Sequence, residues 1–286
     1  MDSGELESRT IETNGIRLHV MVGGPRDGPL AVLLHGFPEF WYGWRHQIGP
    51  LLEAGFRVVV PDQRGYNTSD KPPHLEDFTR DVLARDVVGL LDAFGAERAT
   101  LIGHDWGGMV AWWVALQPAS RVERLAVLNI PHPVVFARAL RGTRQILRSW
   151  YIMLFQLPRL PEALLSFRDH ALLVGLLRRY TRPGALTDED LLRYRRAYGQ
   201  PGAVTAMLGW YRAAVRLKPG RLRMREVEAP TLVVWGRDDP ALGWEMAEPS
   251  TRFCRDGRAV VLDGAGHFVA LDAPDEVNRL LLDFLA

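Results

Sequence analysis

The chain has 286 residues, 47% of them apolar and 24% charged, with a formal net charge of +1. That is enough apolar material for a packed core, which excludes a disordered chain, and too even a balance for a protein that binds nucleic acid by bulk charge. Its one cysteine, Cys254, cannot close an internal disulfide or complete a zinc cluster, so it is expected to be an inert thiol, with no metal centre and no oxidising compartment implied.

The opening stretch MDSGELESRTIETNG is acidic and polar where a secretory leader is basic and then apolar, so a cytoplasmic location is expected. Short runs rich in β-branched residues follow, at Ile16 to Val22, Leu30 to His35, Arg57 to Pro61, Ala99 to Gly103, Leu125 to Asn129, Thr231 to Trp235 and Ala259 to Leu262. Leu83 to Phe94 and Val277 to Leu285 carry apolar residues at helical spacing. Such alternation predicts an α/β fold with a mainly parallel central sheet and helices on both faces. The most apolar stretch, Ala99 to Ser120, is broken by His104, Asp105 and three glycines, so no transmembrane segment is expected.

From Pro131 to Arg225 the alternation stops and no convincing strand occurs. Residues 1–130 and 226–286 are therefore expected to form one core, and 131–225 an inserted helical lid, or cap, over the sheet edge where open α/β folds bind ligands. The insert holds 18 Arg and Lys against 5 Asp and Glu. Such a surplus attracts an anionic partner, such as a fatty-acid carboxylate or a membrane surface, or docks on the acidic remainder; the second is the expectation. Lys71 and Lys218 are the only lysines.

Gly103-His-Asp-Trp-Gly107 follows a buried strand and has the pattern of a nucleophile elbow, in which flanking glycines let the central residue project from the sheet edge. Here the centre is Asp105, not serine. With a reference pKa of about 3.9 it is already an anion and needs no base in order to attack. Attack on an ester would give a labile anhydride, whereas attack on sp³ carbon displaces a leaving group and gives an ordinary ester. Epoxides and alkyl halides are therefore favoured over esters as substrates.

Gly264-Ala-Gly-His-Phe268 places His267 in a loop after the last strand, as the candidate base that activates water. Asp238 and Asp239 both lie beyond the strand before it, and Asp239 is preferred as the acid that orients His267. An acid can also stand after the strand ending at Asn129, but an amide cannot balance an imidazolium, which favours the later position. The turn His35-Gly-Phe-Pro-Glu39 offers the Phe37 N–H, and the elbow the Trp106 N–H, as an oxyanion hole. The Phe37-Pro38 peptide is a candidate cis bond. His35 and His104 are expected to be structural.

HGFPE, VPDQRGYNTSDKP (Val60 to Pro72), GHDWGG, WYIMLFQ (Trp150 to Gln156), GWYR (Gly209 to Arg212) and GAGHF together resemble the soluble epoxide hydrolases across almost the whole chain. The first and last motifs occur widely among α/β-hydrolases, while GHDWGG narrows the likeness to enzymes with an Asp nucleophile. The resemblance implies that Tyr151 and Tyr211 are lid tyrosines that protonate the epoxide oxygen, a sensible use of phenols because an alkoxide departs poorly unassisted. It also implies a cofactor-independent, detoxification-type conversion of a small hydrophobic epoxide and water to a vicinal diol. Phe37, Trp106, Trp150, Leu154, Trp210 and Phe268 are the expected substrate-binding residues, and Leu154, Phe155, Met207 and Trp210 suggest an apolar substrate. A haloalkane or haloacid dehalogenase, with Trp106 as halide donor, and a catalytically silent binding protein are the alternatives. Homodimer formation is left open.

Overall fold

Leu30–Leu34 and Ala99–His104 are buried on both sides, as strands at the centre of a covered parallel sheet must be. In the computed structural model, which describes residues 6–117, 120–217 and 225–286, they are β3 and β5 of an eight-stranded sheet. The other strands are β1 (Glu7–Thr13), β2 (Ile16–Gly23), β4 (Arg57–Pro61), β6 (Val122–Leu128), β7 (Thr231–Gly236) and β8 (Gly257–Leu262). Their order is β1-β2-β4-β3-β5-β6-β7-β8, with β2 antiparallel to both neighbours and every other pair parallel.

Alternation along β3 divides the core into two layers. Val32 and Leu34 pack with Leu90 of α2 (Arg80–Ala93) and Val110 of α3 (Asp105–Ala115), while Ala31 and Leu33 pack with Leu51 of α1 (Arg45–Glu53) on the opposite face. The expected strands are all present, with ends shifted by three residues or fewer, but β1 was not among them. Its sequence, ESRTIET, is polar because the strand lies at the sheet edge with most of its residues open to solvent. The hairpin that holds it turns through Asn14-Gly15, both at positive φ (47° and 76°). That dipeptide is the strongest short signal for such a turn.

Between β6 and β7 run α4 (Pro133–Ala139), α5 (Thr143–Arg148), α6 (Trp150–Leu154), α7 (Leu160–Tyr180), α8 (Asp188–Tyr198) and α9 (Ala203–Arg216). The expected end of the insert near Arg225 falls next to residues 218–224, outside those described. α7 is not one continuous rod: Phe167 leaves the helical region, and Arg168, Asp169 and His170 all have positive φ. After β7 come α10 (Ala247–Thr251), α11 (Val269–Asp272) and α12 (Pro274–Leu285), the last packing Val277 and Leu281 into the Leu33 layer.

Among the described residues, ion pairs between the basic insert and the acidic core, the docking expected from the sequence, are few. Among the described residues, Arg144–Glu245 alone pairs a cation of the insert with an acid of the core, and Arg45–Asp190 has the opposite sense. The insert's acids are largely met from within, as in Arg212–Glu162 and Arg195–Asp169. The join is instead apolar and hydrogen-bonded: Trp210 Nε1–H donates to Arg64 O at 3.0 Å, and Gln145 Nε2–H to Ala241 O at 2.8 Å.

Candidate active site

Five loops at the C-terminal ends of β3, β5, β6, β7 and β8 carry the groups of the site, and the strand order makes those loops neighbours. Asp105 begins α3 directly after β5, with φ of +48°. A side chain at Gly107 would put its Cβ 2.1 Å from Leu34 O, and one at Gly103 would put it 2.6 Å from Gly107 O. Only glycine fits at either position, which is the steric reason the elbow can turn so sharply.

Asp105 is buried, and its Oδ1 accepts a hydrogen bond from Phe37 N–H at 2.9 Å. The Phe37–Pro38 peptide beside it is cis. No hydrogen bond runs from Trp106 N–H to Asp105 among the described residues, so of the two expected donors one is seen in contact. His267 Nε2 stands 3.7 Å from Asp105 Oδ2, and its Nδ1 is 2.9 Å from Asp239 Oδ2. Asp239 Oδ1 is fixed by the N–H groups of Ala241 (2.8 Å) and Leu242 (2.9 Å). Asp238 does not enter this chain of contacts.

Burial opposes charge on His267, yet Asp239, by charge and hydrogen bond, and Asp105 more than offset it and raise its pKa to about 9. Burial likewise opposes charge on Asp239, but the His267 partner keeps its pKa below the ordinary carboxylate value. The two neighbouring acids thus favour the protonated form of the His267 ring.

Asn129, treated in the sequence only as a reason to look elsewhere for the acid, has a part of its own. Its Nδ2–H donates to Asp239 Oδ2 at 2.7 Å and its Oδ1 accepts from Gly236 N–H. His35 is structural and neutral: its Nδ1–H donates to Gly36 O, its Nε2 accepts from Gln63 N–H, and burial lowers its pKa. His104 joins the buried Glu39 at 2.8 Å to His267 O at 2.8 Å, tying the HGFPE turn to the His267 loop. Cys254 is buried, and burial pushes its thiol up to about 11, as an inert thiol requires.

A cavity of about 230 Å³ opens over Asp105 and His267, and Tyr151 and Tyr211 belong to its wall. The two phenol rings lie 6.0 Å apart, centre to centre. Burial, then the nearby acids and phenols, raises both pKa values, so each holds its proton at neutral pH. Phe37, Trp150, Leu154 and Phe268 line the cavity as expected of binding residues. Trp106 and Trp210 do not. Trp210 is fully buried, bonded to Arg64 O and packed edge-on against Tyr66, while the Trp106 ring rests against Trp210 and Tyr211. Met207 is also interior. Sequence reasoning missed Leu165, Leu172, Leu176 and Tyr180, which complete the wall from α7. The leucine-rich composition was visible, but not the break at Phe167–His170, which has lining residues on both sides of it.

A family model for the alpha/beta hydrolase fold matches residues 29–274. An AB hydrolase superfamily protein of Bacillus subtilis (strain 168) is 46% identical over 278 residues, 96% of each chain. Epoxide hydrolase 4 of Homo sapiens is 40% identical over 282 residues, 96% of this chain and 77% of that one. Among solved structures, epoxide hydrolase A from Mycobacterium thermoresistibile is similar with a TM-score of 0.84 at 36% identity, covering 98% of both chains. A variant epoxide hydrolase from Bacillus megaterium, complexed with its product, a naphthyloxy-propane-1,2-diol, gives a TM-score of 0.89 at 31% identity over 97% of this chain and 99% of that one.

Proposed function

The chain belongs to the α/β-hydrolase family and stands among its epoxide hydrolases, and from that membership we propose that it converts an epoxide and water to a vicinal diol through an ester on Asp105. One observation carries the reading: a single apolar cavity is lined by Asp105, His267, Tyr151 and Tyr211 together. An Asp105 carboxylate oxygen attacks an epoxide carbon from one side while a tyrosine on the other gives its proton to the departing oxygen. The ring opens to an alkyl ester bearing a neutral hydroxyl.

Esterification cancels the Asp105 charge that helps to hold the proton on His267. The imidazolium then yields that proton, which restores the tyrosine and leaves a neutral ring, oriented by Asp239 and able to act as base. His267 takes a proton from water as the hydroxide adds to the Asp105 carbonyl carbon. Phe37 N–H, with Trp106 N–H as the second donor, stabilises the oxygen that becomes negative. On collapse the departing oxygen takes the proton of the added hydroxyl, which releases the diol and regenerates the Asp105 carboxylate beside a protonated His267. The diol bound to the Bacillus megaterium relative supports this choice of product. A dehalogenase needs halide donors, and Trp106, the candidate for that role, has its ring outside the cavity wall. The helices from α4 to α9 act as the cap that brings the tyrosines to the site.

The test is to trap the ester. His267→Gln, treated with styrene oxide, accumulates a mass adduct on the peptide containing Asp105, whereas the same variant with Asp105→Asn does not. A single turnover of wild type in ¹⁸O-water leaves the diol unlabelled; label in the first diol formed, or no adduct in the His267 variant, sinks the mechanism. A chain that turns over haloalkanes and not epoxides sinks the substrate class.

A further inference from the structure

The largest apolar side chains left open to solvent are concentrated in one part of the chain. Leu147 (73% exposed), Met153 (65%), Trp150 (64%) and Phe167 (64%) lie there, with Ile146, Leu157, Leu160, Leu164 and Leu172 also exposed around them. All belong to α5, α6, α7 or the links between them. Trp150, Leu164 and Leu172 are both exposed and part of the cavity wall, so this surface reaches the edge of the cavity. A monomer in water does not ordinarily leave so many large apolar side chains open within one stretch of chain.

The same surface is cationic. Between residues 141 and 180 the chain carries seven arginines and two acids, and both acids are engaged, Glu162 by Arg212 and Asp169 by Arg195. Arg141, Arg159 and Arg168 are exposed and have no ion-pair partner among the described residues, and the Arg168 guanidinium lies over the Phe167 ring. Two copies meeting through this face would set like charges against each other, with no free acid to offset them. A surface that is negative outside and apolar beneath answers both properties at once.

We propose that the exposed apolar and arginine-rich face of α5–α7 docks on anionic phospholipid bilayers, placing the cavity mouth at the membrane surface. Trp150 and Phe167 enter the interface between headgroups and acyl chains, and Arg141, Arg159 and Arg168 meet lipid phosphates. The left-handed residues 168–170 give α7 a short projecting corner, so Phe167 and Arg168 stand at a turn and not along a helix side. The advantage for substrate supply rests on the epoxide-hydrolase reading, because apolar epoxides concentrate in lipid; the docking itself does not.

The full-length chain is sedimented with vesicles of phosphatidylcholine alone or of phosphatidylcholine with about one third phosphatidylglycerol, a surface that draws basic side chains. Expected is binding to the anionic vesicles at least about tenfold stronger than to the neutral ones, weakening as salt is added. Leu147→Ser with Met153→Ser and Phe167→Ser, three residues outside the cavity wall, abolishes that binding while turnover of a water-soluble epoxide persists. Arg141→Glu with Arg159→Glu removes the preference for anionic lipid. The proposal is overturned by absence of binding to anionic vesicles, by equal binding to neutral ones, or by binding that survives the triple serine variant. It is also overturned if sedimentation velocity shows a dimer that the same variant dissociates, since the face would then be covered by a second copy. Vesicle binding needs no turnover, so failure of the catalytic reading and failure of this one are read separately.

Discussion

At His267 two carboxylates compete with burial and win, and the outcome sets a pH dependence. The folded pKa, about 9, lies above the reference value of about 6.5, so folding favours the protonated ring. The stability it contributes is fully present below about pH 6.5 and is lost as pH rises through about 9. Thermal midpoints of wild type should fall across that window more steeply than those of His267→Gln; parallel curves would contradict the assignment. The tyrosines make a different prediction. Both hold their protons at neutral pH, and Tyr151→Phe with Tyr211→Phe should cut epoxide opening by roughly 10²-fold or more while the fold survives, since each loses only a hydroxyl. Undiminished single-turnover ring opening in that variant would show that neither phenol is the acid. Asp105 and His267 were legible in the sequence because their motifs carry steric demands of their own. Asn129 was not, because its contact with Asp239 joins two loops 110 residues apart, and spacing along a chain does not report such a meeting.

Elements were legible where burial leaves a mark on composition. β3, β5 and β7 are covered on both faces and read as continuous apolar runs, whereas β1 is an open edge whose residues look like any polar leader. The Asn14-Gly15 turn was the available clue. The wall of the cavity was misjudged for a related reason: Trp210 and Met207 are as apolar as Leu165 and Leu176, and only the helix's orientation decides which pair faces core and which faces cavity. At the elbow, helix α3 approaches β3 so closely that Gly107→Ala would press a methyl group into the Leu34 carbonyl, backbone that cannot rotate away. The expected cost is about 1–3 kcal/mol in urea unfolding, with turnover falling further because Asp105 shifts with the turn. An alanine variant as stable and as active as wild type would refute the steric account.

At the scale of the whole molecule, charge is segregated, and among the described residues few ion pairs join insert to core. The insert keeps much of its surplus of arginines at the surface, and its polar attachment to the core is concentrated at a few points. Asp190 is one of them: its Oδ1 accepts from Tyr42 O–H at 2.8 Å and lies 3.6 Å from Arg45 Nε, while its Oδ2 caps α8 through Thr187. Asp190→Ala removes the cap and the link together and should lower stability by about 1–3 kcal/mol, read as a shift in the urea midpoint. KM should rise by a larger factor than kcat falls, because the wall that the insert gives the cavity loosens while Asp105 and His267 stay in place; an unchanged KM would mean that the insert is held elsewhere. Among the described residues no helix is long and apolar enough to cross a membrane, so any lipid contact of those helices lies along a surface.

The backbone of Asp105, at φ of +48°, has a meaning beyond the geometry of attack. Left-handed conformations suit glycine best and asparagine next, and an aspartate there is strained by something on the order of 1 kcal/mol. If folding alone chose the occupant, this turn would drift toward those two residues. The rest of the sheet supports a locally poor choice, and on the proposed mechanism position 105 is where the interests of the fold and of the chemistry part company.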